Sequence, residues 1–141
     1  MKALIDVNVV LDVLRDRGTH AAASAAVWAA IETGQAEGLL AAHAVTTIHY
    51  LIRREQSTPK ARRTILKILS VFGIASVDEG VIQEALQSPS PDFEDAVTIA
   101  AARLAGCDAI ITRDPRGFRQ SPVLVFTPEA ALPLLAVRSS T

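Results

Sequence analysis

The sequence predicts a single-domain α/β/α sandwich built on a parallel sheet of about five strands. Short apolar runs alternate along the chain with longer segments whose apolar residues recur at helical spacing. Continuously apolar strands separated by helices are typical of a parallel sheet that is covered on both faces. The length of 141 residues, half of them apolar, suits one domain with a core of ordinary size.

Five apolar runs are the predicted strands. They are KALI (2–5), GLLAAH (38–43), IASV (74–77), AIIT (109–112) and VLVF (123–126). In open α/β sheets the ligand site lies beyond the carboxyl ends of the strands, where the strand order reverses. Acidic residues that directly follow a strand are therefore the first candidates for a functional site.

The predicted helices lie between these strands. They cover residues 8–15, 20–33, 45–55, 59–72, 79–87, 93–105 and 128 to about 135. Thr19 and Asp78 are placed to cap helix starts. Pro59 and Pro128 are placed to open helices, because proline fits the first helical turn.

Composition and charge exclude several classes of protein. The net charge is only −1, so binding to nucleic acid requires a local basic patch. Cys107 is the single cysteine, which excludes an internal disulfide framework and fits a reducing compartment. Asp6 and Asp12 interrupt any apolar signal region, and no apolar stretch suits a membrane span. We therefore expect a cytoplasmic protein without a membrane segment, with one domain at 1–137 and a tail at 138–141.

Four aspartates lie near the predicted sheet edge where a ligand site is expected, two after strands and two at the start of a helix. Asp6 directly follows the first strand, and Asp114 comes two residues after the fourth. Asp92 and Asp95 begin the helix that leads into the fourth strand, and their spacing of three places them on one helix face. Taken singly, each has an ordinary use as a helix cap or a turn residue.

Together, these acids favour a site for a divalent metal ion. Nearby carboxylates raise each other's pKa unless a cation offsets the repulsion. Mg²⁺ prefers carboxylate oxygens, waters and substrate phosphates, so the pattern predicts a Mg²⁺ or Mn²⁺ site. Zinc is disfavoured because His20, His43 and His49 are scattered without ligand spacing.

Two segments of the chain, LIDVNVVLD (4–12) and DAVTIAAARLAGCDAIITRDPRGF (95–118), together resemble the PIN domain, the ribonuclease fold of VapC-type toxins from bacterial toxin–antitoxin systems. LIDVNVVLD (4–12) resembles the opening motif, an apolar strand followed by Asp, a small residue and Asn or Ser. DAVTIAAARLAGCDAIITRDPRGF (95–118) resembles the second motif, a DA-helix, a strand and T-R-D. The order and separation of the two motifs make the resemblance specific.

The resemblance implies a set of site residues. Asp6, Asp95 and Asp114 match the metal-binding acids, and Asn8 and Thr112 match polar positions that support them. The implied reaction is hydrolysis of an RNA phosphodiester by a water that Mg²⁺ or Mn²⁺ activates. The implied partners are an RNA substrate, a cognate antitoxin and a second copy of the chain.

The chain departs from the family pattern at two positions. The usual glutamate in the helix after the second strand is absent, and Thr47 lies near its place. Val7 stands where threonine or serine is common. Three alternatives stay open: Asp92 or Glu94 supplies the missing carboxylate, Asp92 orients the attacking water, or Asp92 only caps its helix.

The arginines around Asp114 are candidates for contacts with RNA phosphates. Arg113, Arg116 and Arg119 flank the predicted site, and RNA binding requires cations near its phosphates. A degenerate PIN domain that binds RNA or protein without cleaving it is the alternative, because the acid near Thr47 is absent. A haloacid-dehalogenase type of phosphohydrolase is disfavoured, since Asn8 stands where that family places a second aspartate.

Overall fold

The described residues of this computed structural model, 1–16 and 18–139, form a five-stranded parallel sheet flanked by helices. Side chains are described as far as residue 135. The strands are Lys2–Ile5 (β1), Glu37–Ala41 (β2), Gly73–Ala75 (β3), Ala109–Ile111 (β4) and Leu124–Phe126 (β5). Their spatial order is β3-β2-β1-β4-β5, and every neighbouring pair is parallel. The predicted fold class is thus confirmed.

Seven α-helices in the described part of the chain connect and cover the strands. They are Val7–Arg15 (α1), Gly18–Glu32 (α2), Ala42–Glu55 (α3), Thr58–Val71 (α4), Glu79–Leu86 (α5), Phe93–Leu104 (α6) and Pro128–Ser139 (α7). A short 3-10 helix at Pro115–Phe118 follows β4. No helix in this part combines the length and apolarity that crossing a membrane requires.

The strand order reverses direction between β1 and β4. The chain adds β2 and β3 on one side of β1, and then places β4 and β5 on the other side. Ile5 pairs with Ile111, so the carboxyl ends of β1 and β4 lie side by side. This junction is the topological switch point, where open α/β sheets place their ligands.

The core consists of two apolar layers, one on each face of the sheet. Ala3 and Ile5 of β1 pack into one layer, and Leu4 packs into the other, because successive strand side chains point to opposite faces. Trp28 lies in the first layer with its ring edge-on to Phe72, at a centroid distance of 5.0 Å. The core on both faces fixes β1 and β4 rigidly beneath the site.

Three predicted boundaries differ from the structure. The second strand ends at Ala41 instead of residue 43, because Ala42 and Ala44 favour a helix and His43 enters its first turn. Helix α2 starts at Gly18, so Thr19 lies inside the helix and does not cap it. Helix α7 continues to Ser139, and residues 140–141 of the predicted tail lie outside the described residues.

Candidate active site

Asp6 lies at the switch point and is held by both neighbouring elements. Its backbone N–H donates to the Ile111 carbonyl over 2.9 Å, which extends the β1–β4 ladder by one residue. One carboxylate oxygen accepts from the Val7 backbone N–H, and the other accepts from Thr112 Oγ1, each at 2.8 Å. Asp6 therefore caps α1 and presents a fixed carboxylate at the sheet edge.

Thr112 connects the acids on the two sides of the switch point. Its fully buried hydroxyl donates to Asp6, and it accepts from the Asp114 backbone N–H at 3.2 Å and from Asn8 Nδ2 at 3.4 Å. Asn8 Oδ1 in turn accepts from the Arg113 backbone N–H at 3.2 Å. Asn8 and Thr112 thus tie the loop after β4 to the start of α1.

The start of α6 brings a second pair of acids to the same edge. Asp92 is the N-cap, and its Oδ1 accepts from the Asp95 backbone N–H at 3.0 Å. Asp95, half-buried, turns its carboxylate toward Gly117 in the 3-10 helix. A Cβ atom at Gly117 would lie 2.6 Å from Asp95 Oδ2, so the absence of a side chain there makes room for the carboxylate.

Burial and mutual repulsion act on these carboxylates. The pKa of Asp95 is raised to about 6, first by burial and then by the negative charges of Asp92, Asp6, Glu94 and Asp114. Burial also raises the pKa of Asp6, although its hydrogen bonds from Thr112 and Val7 act in the opposite direction. The site thus concentrates negative charge that a cation would offset.

The donor chemistry of the site fits a hard divalent cation. Asp6, Asp95 and Asp114 offer only carboxylate oxygens, and their mutual repulsion falls when a cation binds. Among the described residues, no three His, Cys, Asp or Glu side chains are placed as a ready-made metal centre. The negative charge and the oxygen donors of Asp6, Asp95 and Asp114 nevertheless suit Mg²⁺ or Mn²⁺.

The predicted arginines fall into two environments. Arg116 and Arg119 line a cleft of about 340 Å³ together with Asp92 and Asp95. Arg116 Nε donates to Asp114 Oδ1 at 3.1 Å. Arg113 instead points into the protein, where its Nε lies 3.0 Å from a carboxylate oxygen of the fully buried Asp12.

The two acids that flank Phe93 lie on different sides of the site. Asp92 lines the same cleft as Arg116 and Arg119. Glu94 lines a different cleft together with Thr47 and is near enough to raise the pKa of Asp6. Glu94 is therefore the acid that shares a wall with the position where the resemblance expects a glutamate.

Sequence reasoning missed three residues of this region. His43 reaches the site because β2 ends early, and its charge acts on the pKa of Asp6. Asp12 is buried against Arg113, and Gly117 makes room for Asp95. A signal for Asp12 was present, since it lies one helical turn after Asn8 on α1, whereas nothing in the sequence marks Gly117 as a neighbour of Asp95.

The parallel sheet makes this chain an open α/β protein. Its acidic residues lie at the topological switch point, where proteins of this class bind their ligands. The family model of the PIN domain matches residues 2–116. The chain belongs to the PIN domain family. No curated protein sequence matches it significantly.

Several solved structures have a similar fold. FitAcB from Neisseria gonorrhoeae has a TM-score of 0.72 at 23% identity, with 90% of this chain and 98% of that chain covered. VapBC2 from Rickettsia felis, bound to a promoter DNA fragment, has a TM-score of 0.70 at 9% identity, with coverages of 89% and 97%. VapC20 from Mycobacterium tuberculosis, a sarcin–ricin loop cleaving toxin, has a TM-score of 0.61 at 15% identity, with coverages of 77% and 86%.

Proposed function

We propose that this PIN domain is a Mg²⁺- or Mn²⁺-dependent endoribonuclease and the toxin of a bacterial toxin–antitoxin pair. The observation that carries the proposal is the meeting of Asp6 and Asp95 at the switch point, where both carboxyl groups have a raised pKa. Carboxyl groups whose pKa is raised by burial and by neighbouring charges are typical of sites that bind a cation or perform acid–base chemistry.

Each residue has a separate part in the proposed reaction. Asp6, Asp95 and Asp114 would hold the metal ion, which when bound supplies an activated water and offsets charge on the phosphate. Thr112 fixes the orientation of Asp6 through its 2.8 Å hydrogen bond. Asp92, at the edge of the cleft, would orient the attacking water.

The arginines give the proposed substrate its electrostatic contact. Arg116 and Arg119 line the same cleft as Asp92 and Asp95, so a phosphate bound in that cleft would meet the positive charge of the two arginines. We propose that these two residues bind RNA phosphates next to the cleavage position. Arg113 belongs to the same loop, and its pairing with Asp12 makes its contribution to RNA binding indirect.

The structural neighbours support the proposed partners. A further neighbour, from Klebsiella pneumoniae, is a toxin–antitoxin complex, and VapC20 is a toxin. We propose that this chain also binds a cognate antitoxin, forms a homodimer and acts in the cytoplasm.

Metal removal tests the proposed function. Purified protein is expected to cleave single-stranded or structured RNA with Mg²⁺ or Mn²⁺, and to lose this activity in EDTA because the carboxylates alone activate no water. Gel analysis of a labelled RNA measures the cleavage, and activity should return when the metal is restored. Cleavage that continues undiminished in EDTA contradicts the proposal.

A PIN domain that binds without cleaving is the second candidate. Thr47 favours it, because its hydroxyl donates to the His43 carbonyl at 3.3 Å and α3 offers no carboxylate at that position. Titration calorimetry with Mn²⁺ separates the two candidates. Absence of Mn²⁺ binding at millimolar concentration would establish the non-cleaving alternative, whereas binding supports the nuclease.

Gly117→Ala is expected to reduce RNA cleavage at least about 10-fold with little change in stability. The new Cβ would displace the Asp95 carboxylate, and small misplacements of a reacting group are costly in rate. Only the end of a flexible side chain has to move, so the melting temperature should stay nearly unchanged. Gly80→Ala is the control, because its Cβ would meet only Asp78 Oδ1 at 3.5 Å. Full activity in Gly117→Ala would show that RNA cleavage does not depend on the position of the Asp95 carboxylate.

A further inference from the structure

A second cleft opens between α3 and α6 beside Asp6. It has a volume of about 320 Å³, and its lining includes Phe93, Glu94 and Val97 from α6, and His43, Thr46 and Thr47 from α3. We name it the α3–α6 cleft. Its lining is largely apolar with a few polar groups at the rim, which is the usual composition of a ligand site.

Phe93 is the aromatic member of this cleft and is not used by the core. Its side chain is 49% exposed, although Val97 one turn later is buried. An aromatic ring that lines a cleft and remains half-exposed offers a flat apolar face to a ligand. Unpaired nucleobases stack on aromatic side chains in this way, with little dependence on sequence.

The rim of the α3–α6 cleft offers hydrogen-bond acceptors. The Thr46 and Thr47 hydroxyls donate to the His43 carbonyl at 2.7 and 3.3 Å, so their oxygen lone pairs are left to accept. The exposed Glu94 carboxylate can only accept while it is ionised. Acceptors at the rim match the N–H groups on the edges of nucleobases.

The cleft is continuous with the proposed catalytic edge. Glu94 precedes Asp95 on α6, and the charges of both Glu94 and His43 act on Asp6. His43 Nε2 lies 3.5 Å from Thr98 Oγ1, which joins the α3 and α6 walls next to this edge. Phe93 lies two residues before Asp95 at the start of α6, so a strand of RNA whose phosphate is bound at Asp95 would pass near its ring.

We propose that the α3–α6 cleft binds an unpaired nucleobase next to the cleaved phosphate, with Phe93 as the stacking surface. This inference rests on the proposed ribonuclease function and adds to it a subsite for one base beside the cleaved phosphate. An apolar side chain of a protein partner is the competing occupant. The acceptor-rich rim and the continuity with the acidic edge favour the nucleobase.

Steady-state cleavage of a single-stranded RNA tests the cleft. Phe93→Ala is expected to raise KM about 10-fold, the loss of stacking on one base, whereas Phe93→Trp should keep KM near the wild-type value. Leu86→Ala is the matched control, because Leu86 is 69% exposed on α5 and lies outside the lining of the cleft. If wild type cleaves RNA and Phe93→Ala has an unchanged KM, the nucleobase proposal is wrong and the ribonuclease function stands.

A binding measurement keeps the two proposals separate. A short oligoadenylate that contains one 2-aminopurine is titrated onto the Asp6→Asn protein, and stacking on Phe93 should quench its fluorescence. The double variant Asp6→Asn/Phe93→Ala should lose the quenching. If wild type cleaves no RNA, quenching still supports the cleft and its absence overturns it. Equal quenching in both proteins, with antitoxin binding lost in Phe93→Ala, would identify the cleft as a protein-docking site instead.

Discussion

Asp95→Asn is expected to reduce RNA cleavage at least about 1,000-fold and, at pH 7, to raise the melting temperature of the metal-free protein. The loss of cleavage follows from removing one of three proposed metal-binding carboxylates, which would weaken metal binding as well as the chemical step. The gain in stability follows from removing a carboxylate whose ionised form is disfavoured first by burial and then by the neighbouring negative charges. The two effects have opposite signs, so a variant that is merely misfolded cannot produce them together.

The sign of the stability change follows from the pKa of Asp95. In the folded protein this pKa is about 6, above the ordinary value of 3.8, so the folded state binds the proton more tightly. Stability is therefore full below about pH 4 and falls as the pH rises through 6. Asparagine carries no charge and escapes this loss. Asp95 is partly exposed, and after solvent screening we expect a rise of roughly 2–4 °C, which corresponds to about 1 kcal/mol.

Calorimetry at pH 4 and pH 7 measures the stability change, and Mn²⁺ titration measures the binding of metal. Glu79→Gln is the matched control, because Glu79 is an exposed acid in the first turn of α5 that lines neither cleft of the site and is not among the charges that act on Asp95. It should leave cleavage unchanged and slightly lower the melting temperature, since it loses an attraction to the helix N-terminus. A lower melting temperature for Asp95→Asn at pH 7 would show that repulsion does not dominate at this position.

The fold could be predicted from the sequence because local patterns and the global fold agree. Apolar runs such as AIIT are short, contain β-branched residues and lie between Gly106 and a polar loop, which favours buried strands, and the structure has a strand at each predicted run. The early end of β2 was missed because residues 38–42 are apolar throughout and contain no turn signal after Gly38. Only the helix propensity of Ala42 and Ala44 distinguishes its last residues from a strand.

The site was partly predictable for the same reason. Asp6 and Asp114 follow strands, so the strand positions alone place them at one edge of a parallel sheet. The contact of Asp95 with Gly117 was not predictable, because the 3-10 helix after β4 brings Gly117 next to Asp95 and the sequence does not show that helix. His43 was likewise hidden, since its contact with Thr98 joins positions 55 residues apart in the chain.

Arg113→Ala is expected to lower the free energy of unfolding by about 3 kcal/mol, and the melting temperature by roughly 10 °C. Asp12 has no exposed surface, and neither of its carboxylate oxygens has a hydrogen-bond partner among the described residues. Arg113 Nε, at 3.0 Å, lies off the line that a hydrogen bond requires, so the attraction between the two charges is what stabilises the buried carboxylate. Thermal and urea unfolding measure the change. Arg116→Ala is the control, because Arg116 and Asp114 form an exposed pair worth at most about 1 kcal/mol.

The double variant Asp12→Leu/Arg113→Met separates the effect of charge from that of packing. Removing one partner of a buried pair leaves an uncompensated charge, whereas replacing both by apolar residues of similar size is often neutral. We therefore expect the double variant to recover most of the stability that Arg113→Ala loses.

The exposure of Arg113 sets the size of the effect expected for Arg113→Ala. Arg113 is 32% exposed, so water already screens part of its attraction to Asp12, and the low end of the range for buried pairs applies. A loss below about 1 kcal/mol in Arg113→Ala would mean that solvent reaches the Asp12 carboxylate once the guanidinium is gone. In that event Arg113 is free to act in RNA binding, and its loss should then raise KM instead of lowering the melting temperature.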